Sequence, residues 1–484
     1  MTPALVVSIM VIYFAALIAI SWVTSRGADT NTFFTANRKS PWYLVAFGMI
    51  GSSLSGLTFI SVPGNVGNIG LAYFQLVLGY LVGYWVIILV LMPLYYRLNL
   101  ISIYTYLEQR FDRWSYKTGA FFFLISRSLG SALRLYLAAT VLQLFLFDAW
   151  GVPFFVTVAT TILLIWIYTF KGGVKTIVYT DSFQTLFLVT AVIVAVWQVS
   201  SQLGFSFGHI VDIFTTSKYS RMFHFEDPNS TLFFPKMFLG GLFITVTMTG
   251  MDQEIMQKNL TCKNIGEAQK NMFWFSLTLV AVNLLFLLLG ALLYIYSEAN
   301  QIALPASGDE LFPTLALNHL GLVVGIFFLL GIIASSYASA DSALAGLTTS
   351  FCIDFLNFKN KQEEQKKKEK FIVHLGFSLL FLLIIVVFKE INERSVIDAV
   401  LQIAGYTYGP LLGLFSFGLT TKRKVNGITV PFIAVACPLI SWFISSNAPV
   451  WFDGYKIGFE VLVINGILMY LGLLMFSKRT SNAQ

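Results

Sequence analysis

Apolar residues in this chain run together in blocks of roughly 20, the length a helix needs to cross the hydrocarbon of a bilayer. Thirteen such stretches can be marked: 3–24, 41–64, 72–96, 118–147, 152–170, 176–201, 232–255, 271–297, 321–355, 371–389, 396–420, 428–446 and 457–477. Lipid offers no partner to an unpaired N–H or C=O group, so each block is predicted to be helical. The expected fold is an all-α polytopic membrane protein of about 13 transmembrane helices, numbered here as spans one to thirteen. The block 3–24 is expected to be the first of them, since no A-x-A-like cleavage site follows it. Between spans, 202–231 reads as an external loop. Residues 303–319 read as another, with a short helix beginning near Asp309. The run KNKQEEQKKKEK (359–370) reads as a solvated cytoplasmic linker.

Composition agrees with lipid as the solvent: 57% of residues are hydrophobic and 11% charged, against about 25% charged in a soluble protein. A net charge of +7 would point to nucleic acid in a soluble chain. Here the positive-inside rule accounts for it. With the N-terminus outside, 23 of the 31 Lys and Arg residues fall in inner loops and six in outer ones. The prediction is a multi-pass cell (inner) membrane protein, N-terminus out and C-terminus cytoplasmic. Its expected partners are the lipid bilayer and a small solute, with no nucleic acid. Cys262, Cys352 and Cys437 show no paired spacing and the four histidines form no ligand cluster. No nucleophile–base pair or phosphate loop appears, so no enzyme and no organic cofactor are expected.

Span two carries the strongest chemical signal. FGMIGSSLSGLTFISVPGNVG (47–67) packs glycines, serines, a threonine and Pro63 into one apolar segment, so a continuous helix is not expected there. Broken helices are tolerated at membrane depth where they line a cavity, and in transporters the freed carbonyls coordinate cations. Small residues also suit helix packing, but the hydroxyls of Ser52, Ser53, Ser55 and Thr58 exceed what packing needs. Span nine, GIIASSYASADSALAGLTTSF (331–351), puts Ser335, Ala338, Ser339, Ser342 and Thr349 on one helical face. Oxygen ligands of that kind suit Na⁺. Asp341 adds a mid-span carboxylate, which must find a cation or a basic partner.

Three further charges lie inside spans. Asp181 sits about a turn inside span six, as an interfacial acid, a cation ligand or an exit-path residue. Arg127 and Arg134 are seven apart in span four and so lie near one face. Either one is a candidate to neutralise Asp341 or to hold a substrate carboxylate through its planar fork. The abundant aromatic residues read as lipid-facing surface and interfacial belts, with no aromatic cage.

Five motifs occur in order. They are IYTYLEQRF (103–111), GGVKTIVYTDSFQT (172–185), MDQEIMQKNLTCKN (251–264), ADSALAGLTTSFCIDF (340–355) and YGPLLGLFSFG (408–418). Together they resemble the sodium:solute symporter family, nearer its anion and vitamin branch than its sugar branch. The resemblance implies a LeuT-like inverted repeat. Residues 1–40 would hold the first helix and an inner loop, 41–201 and 232–420 the two five-helix halves, and 421–484 two further helices and a short tail. It implies one sodium site at Gly51, Leu54, Ser335, Ala338 and Ser339, with Ala338 standing where a hydroxyl is usual. It implies a second site, found in some members, at Asp181, Asp341 and Ser342.

Positions that hold an Asn and an aromatic pair in the family's sugar transporters fall on Thr245, Met248 and Thr249, which disfavours a sugar bound in that manner. Ser53, Ser55, Thr58, Gln75, Arg127, Arg134, Thr245 and Thr249 are the expected substrate contacts. The implied activity is Na⁺-coupled symport of a small polar solute, possibly bearing a carboxylate, by alternating access, with Na⁺ as the coupling ion. The alternatives are sodium-coupled uptake of a neutral polyol or sugar, and a transporter-like sensor or channel. The sensor would need an appended signalling domain, for which the short tail leaves no room.

Overall fold

The computed structural model describes residues 3–27, 30–169, 173–358, 361–391 and 396–478. The expected end of span five at residue 170 falls outside them, as do Lys171, Lys359, Arg394 and Arg479. Each of the thirteen apolar stretches is helical. In chain order the helices are α1 (Pro3–Thr24), α2 (Trp42–Ser53), α3 (Gly56–Ile69), α4 (Tyr73–Arg97), α5 (Arg113–Leu142), α6 (Phe154–Thr169) and α7 (Gly173–Gln202). There follow α8 (Phe234–Gly250), α9 (Gln253–Asn259), α10 (Ile265–Ala299), α11 (Leu322–Phe355), α12 (Glu363–Ile391), α13 (Val396–Thr420), α14 (Thr429–Trp451) and α15 (Val461–Met475). Among the described residues, eight helices are long and apolar enough to cross a membrane unaided, and two bent pairs bring the number to ten; α6 and α15 are shorter. A two-residue ribbon, Lys424–Val425 against Ser477–Lys478, is the strand pairing among the described residues.

Two breaks organise the bundle. The expected one separates α2 from α3, which meet at 58°. It lies at Leu54 and Ser55, whose backbones leave the helical region (φ −87°, ψ 73° and φ −66°, ψ 174°), while Pro63 sits inside α3 without ending it. The second was not expected: span seven, read as one run over 232–255, is bent by 68° between α8 and α9. Asp252 ends it and starts α9, its carboxylate accepting the amides of Glu254 (2.9 Å) and Ile255 (3.3 Å) as an N-cap does. Tyr95 Oη donates to the Gly250 carbonyl (2.7 Å) and Tyr104 Oη to that of Met251 (2.9 Å), which satisfies groups freed by the bend.

Long helices pack around these breaks. α11 lies against α7, α5 and both halves of the α2–α3 pair, and α4 runs beside α8. Gly79 and Gly241 let α4 and α8 touch backbone to backbone, since a Cβ on either would strike the other helix's carbonyls. The basic run at 359–370 corrects one expectation: from Glu363 onward it is the first turns of α12, because an i,i+3 Glu363–Lys366 pair and a Lys361–Glu369 pair favour helix over free linker. The segment 303–319 does carry its short helix, Leu311–Asn318, led in by a 3₁₀ turn at Gly308–Glu310.

Candidate functional site

A cavity opens between the two breaks. Ser52, Ser53, Leu54, Ser55, Leu57 and Thr58 of the α2–α3 break form one wall. Tyr73, Tyr80 and Tyr84 of α4 form another, Arg127 and Arg134 come from α5, and Ile244, Thr245, Met248 and Thr249 from α8. Ile255, Leu279, Asn283 and Val400 complete the lining. Seven of the eight expected substrate contacts therefore meet in one place: Ser53, Ser55, Thr58, Arg127, Arg134, Thr245 and Thr249.

Gln75 does not. It is bonded instead to the segment between α7 and α8 and to its own helix start, donating to the Leu232 carbonyl (3.0 Å) and that of Ala72 (3.3 Å) and accepting the His224 amide (3.0 Å). A buried amide in an apolar span must satisfy its polar atoms, and the loop backbone does that here. The tyrosines are the opposite error. They were assigned to the lipid-facing belts, yet three of them line the cavity, at the i, i+7 and i+11 positions that share one face of α4. That periodicity was the available signal. Asn283 of α10 was also missed.

The two arginines have different fates. Arg127 is buried and committed: its guanidinium pairs with Glu254, through Nε and Nη2, and stands 3.8 Å from Asp252. Asp252 also accepts a hydrogen bond from Tyr408 Oη at 2.6 Å. Arg134 lines the cavity with its Nε buried and unpartnered, and it makes no ion pair among the described residues. Neither arginine reaches Asp341, so the expected Arg–Asp341 pairing is replaced by another arrangement. Asp341 accepts from Tyr168 Oη (2.8 Å) and Ser342 Oγ (3.1 Å), while Ser342 Oγ also faces Asp181 (3.3 Å). Asp181 in turn holds Lys258 Nζ at 2.5 Å. Lys258 was expected in an inner loop. It lies instead on buried α9, 2% exposed, where among the described residues the Asp181 carboxylate is its ion-pair partner and offsets its desolvation.

Around the first break the backbone ladder stops with the Leu54 amide donating to Ile50 (2.8 Å) and resumes with Phe59 donating to Ser55 (3.1 Å). The carbonyls of Gly51 and Leu54 lie outside both ladders, and the Gly51 amide donates to Thr185 Oγ1 at 2.9 Å. α11 packs against both halves of the broken span. Gly56 lies so close to Ser336 Oγ that any side chain at 56 would collide. Ser339 Oγ is buried without a partner among the described residues, whereas Ser335 Oγ donates to the Ile332 carbonyl at 3.1 Å. Ala338 is fully buried between them.

A model of the sodium:solute symporter family matches residues 33–427, most of the chain. The chain belongs to the sodium:solute symporter family. Like the family's other members it is a multi-pass cell-membrane transporter that couples solute import to Na⁺, and not an enzyme. Among relatives, the sodium/sialic acid symporter NanT of Aliivibrio fischeri is 25% identical over 474 residues, covering 94% of this chain and 91% of that one. The sodium-coupled monocarboxylate transporter 1 of Xenopus laevis is 28% identical over 430 residues, 85% of this chain and 66% of that one. A substrate-bound, outward-open Na⁺-coupled sialic acid symporter superposes with a TM-score of 0.82 at 19% identity, covering 98% and 99% of the two chains. The LeuT-like fold of this symporter follows from that likeness.

Proposed function

We propose that this symporter imports a small carboxylate-bearing, hydroxyl-rich solute, and that Arg134 holds its carboxylate. The observation that carries the proposal is the contrast between the arginines: Arg127 is engaged by two carboxylates, while Arg134 brings an unengaged guanidinium to the cavity wall. A buried cation without a counter-ion is costly, and a planar carboxylate matches its fork. Ser53, Ser55, Thr58, Thr245, Thr249 and Asn283 offer hydrogen bonds to a polar body, and the tyrosines of α4 a flat apolar face. Relatives that carry sialic acid or monocarboxylates support an acid over a neutral polyol.

In this proposal Na⁺ sits at the first break, with carbonyl oxygens of Gly51, Leu54 and Ser335 and the hydroxyl oxygen of Ser339, Ala338 standing where a further hydroxyl is usual. The partnerless Ser339 hydroxyl and the carbonyls outside the helical ladder support that assignment. Asp341, three residues beyond Ala338 and so next to it on the helix face, supplies the charge that the missing hydroxyl does not. The halves 41–201 and 232–420 form the repeat, as the matching breaks at their starts suggest. The N-terminus lies outside and the C-terminus inside, supported by the charge asymmetry of the loops. Cation binding between α11 and the break favours the outward-open state, and the membrane potential adds about 2.3 kcal/mol per charge per 100 mV to accumulation.

Binding of N-acetylneuraminate, gluconate and lactate to purified protein in Na⁺, beside their amides and a neutral hexose, tests the solute class. At least one acid should bind while its amide does not. Equal binding of acid and amide contradicts the proposal.

A further inference from the structure

α6 and α12 meet along a groove lined almost wholly by hydrocarbon. Ala159 and Trp166 of α6 and Phe371, Leu375, Leu379 and Leu382 of α12 are among its walls. Ser378 brings the one hydroxyl of the lining, and that hydroxyl donates to the His374 carbonyl of its own helix (2.9 Å). Such a groove offers no hydrogen bond to a polar solute or a peptide backbone, and favours an alkyl chain. From Phe371 to Leu382 it extends about 16 Å at 1.5 Å per residue, the depth of one leaflet of a hydrocarbon core about 30 Å thick. The Trp166 and Phe371 rings meet edge to face at one end, their centroids 5.7 Å apart.

Beyond that end the surface changes to charge. Lys367 and Lys368 stand four and three residues before Phe371, and so on the groove's side of α12. Both are exposed, and neither has an ion pair among the described residues. Their neighbours are engaged: Lys366 pairs with Glu363, Lys361 with Glu369, and the Lys370 ammonium lies 4.2 Å from the centre of the Phe33 ring. Glu364, the acid on the same side of the helix, stands a turn further out. We infer that this seam is a binding site for an anionic phospholipid, with one acyl chain in the groove between α6 and α12 and the phosphate held by Lys367 and Lys368. The tail supplies affinity through buried apolar area, and the two ammoniums select the headgroup, since a zwitterionic lipid brings a cation of its own to them. A lipid seated there touches both helices and stabilises the folded protein by mass action.

The test offers the purified, delipidated full-length protein phosphatidylglycerol and phosphatidylcholine with identical acyl chains, and reads bound lipid by native mass spectrometry and melting temperature in detergent. The wild type should hold phosphatidylglycerol more tightly than phosphatidylcholine by roughly tenfold or more, and melt at a higher temperature in its presence. Lys367→Gln/Lys368→Gln changes two exposed side chains and should bind the two lipids alike. Ala159→Trp fills the groove and should lose the tightly held lipid although both lysines remain. Should Ala159→Trp fail to fold, the lysine variant alone decides. Equal binding of the two lipids by the wild type, or an undiminished preference in the lysine variant, overturns the inference. So does a folded Ala159→Trp protein that holds phosphatidylglycerol as the wild type does. A protein dimer in place of bound lipid assigns the groove to a second copy of the chain and overturns it as well.

Discussion

Removing the guanidinium of Arg134 is the sharpest perturbation of the proposed solute site. Its Nε is buried without a partner and no carboxylate among the described residues engages it, so a solute carboxylate would gain a two-pronged, charge-assisted contact. Hydrogen bonds to charged groups contribute about 1.5–3 kcal/mol each, and truncating one partner of a buried charge pair costs about 2–5 kcal/mol. At 1.4 kcal/mol per tenfold, Arg134→Ala should weaken binding of the best-bound acid by roughly 30- to 3,000-fold. Arg134→Lys keeps the charge but loses the fork, and should fall between the two, about tenfold weaker than wild type. Titration calorimetry in saturating Na⁺ reads both values. Na⁺ binding without solute reports whether the fold has survived, since Arg134 is not among the proposed cation ligands. If Arg134→Ala binds the acid within about threefold of wild type, a loss under 1 kcal/mol, the carboxylate lies elsewhere and the assignment fails.

Three further outcomes follow from the same contacts. Asp341→Asn removes a buried carboxylate assigned to the proposed cation site; losing one partner of a buried charge pair costs about 2–5 kcal/mol, so the Na⁺ concentration for half-maximal uptake should rise roughly 30-fold or more, and unchanged sodium dependence would exclude Asp341 from the cation site. Arg127→Met strands Glu254 and Asp252 and should lower stability by about 3–5 kcal/mol, read as a drop in melting temperature in detergent, with Arg127→Met/Glu254→Gln recovering part of it; equal losses in the two would mean that the pair is not coupled. Gln75→Ala removes three hydrogen bonds, two of them to the segment that leads into α8, and should cost about 1–3 kcal/mol of stability with solute affinity intact, whereas a selective loss of solute binding would return Gln75 to the cavity.

What could be read in advance divides along physical lines. The α2–α3 break was legible because glycine, serine and proline weaken a helix locally, wherever the chain goes next. The α8–α9 break was not. ITVTMTGMDQEIM contains one glycine and no proline, and the bend is held by hydroxyls of Tyr95 and Tyr104 that arrive from more than 140 residues away. Missing it also hid the roles of Asp252, Glu254 and Lys258, which read as the polar end of a span and prove to be buried partners of Arg127 and Asp181. With those partners unseen, Arg127 and Arg134 were indistinguishable on one helix face. Gln75 failed for a related reason: an amide in an apolar run is equally compatible with a cavity and with a loop folded over the helix end. The small residues of α11, by contrast, were written in its period alone, and the helix packs closely enough on the broken span for Ser336 to leave no room for a side chain at Gly56.

The central claim is that Na⁺ moving down its gradient drives an acidic solute inward through the Arg134 cavity. It is tested most directly in proteoliposomes, by uptake of the labelled acid with an inward Na⁺ gradient, with equal Na⁺ on both sides, and with K⁺ in place of Na⁺. Transient accumulation above the external concentration is expected with the gradient alone, enlarged by an inside-negative potential and abolished in Arg134→Ala. Uptake that never exceeds equilibration, or that proceeds equally well in K⁺, would contradict the account.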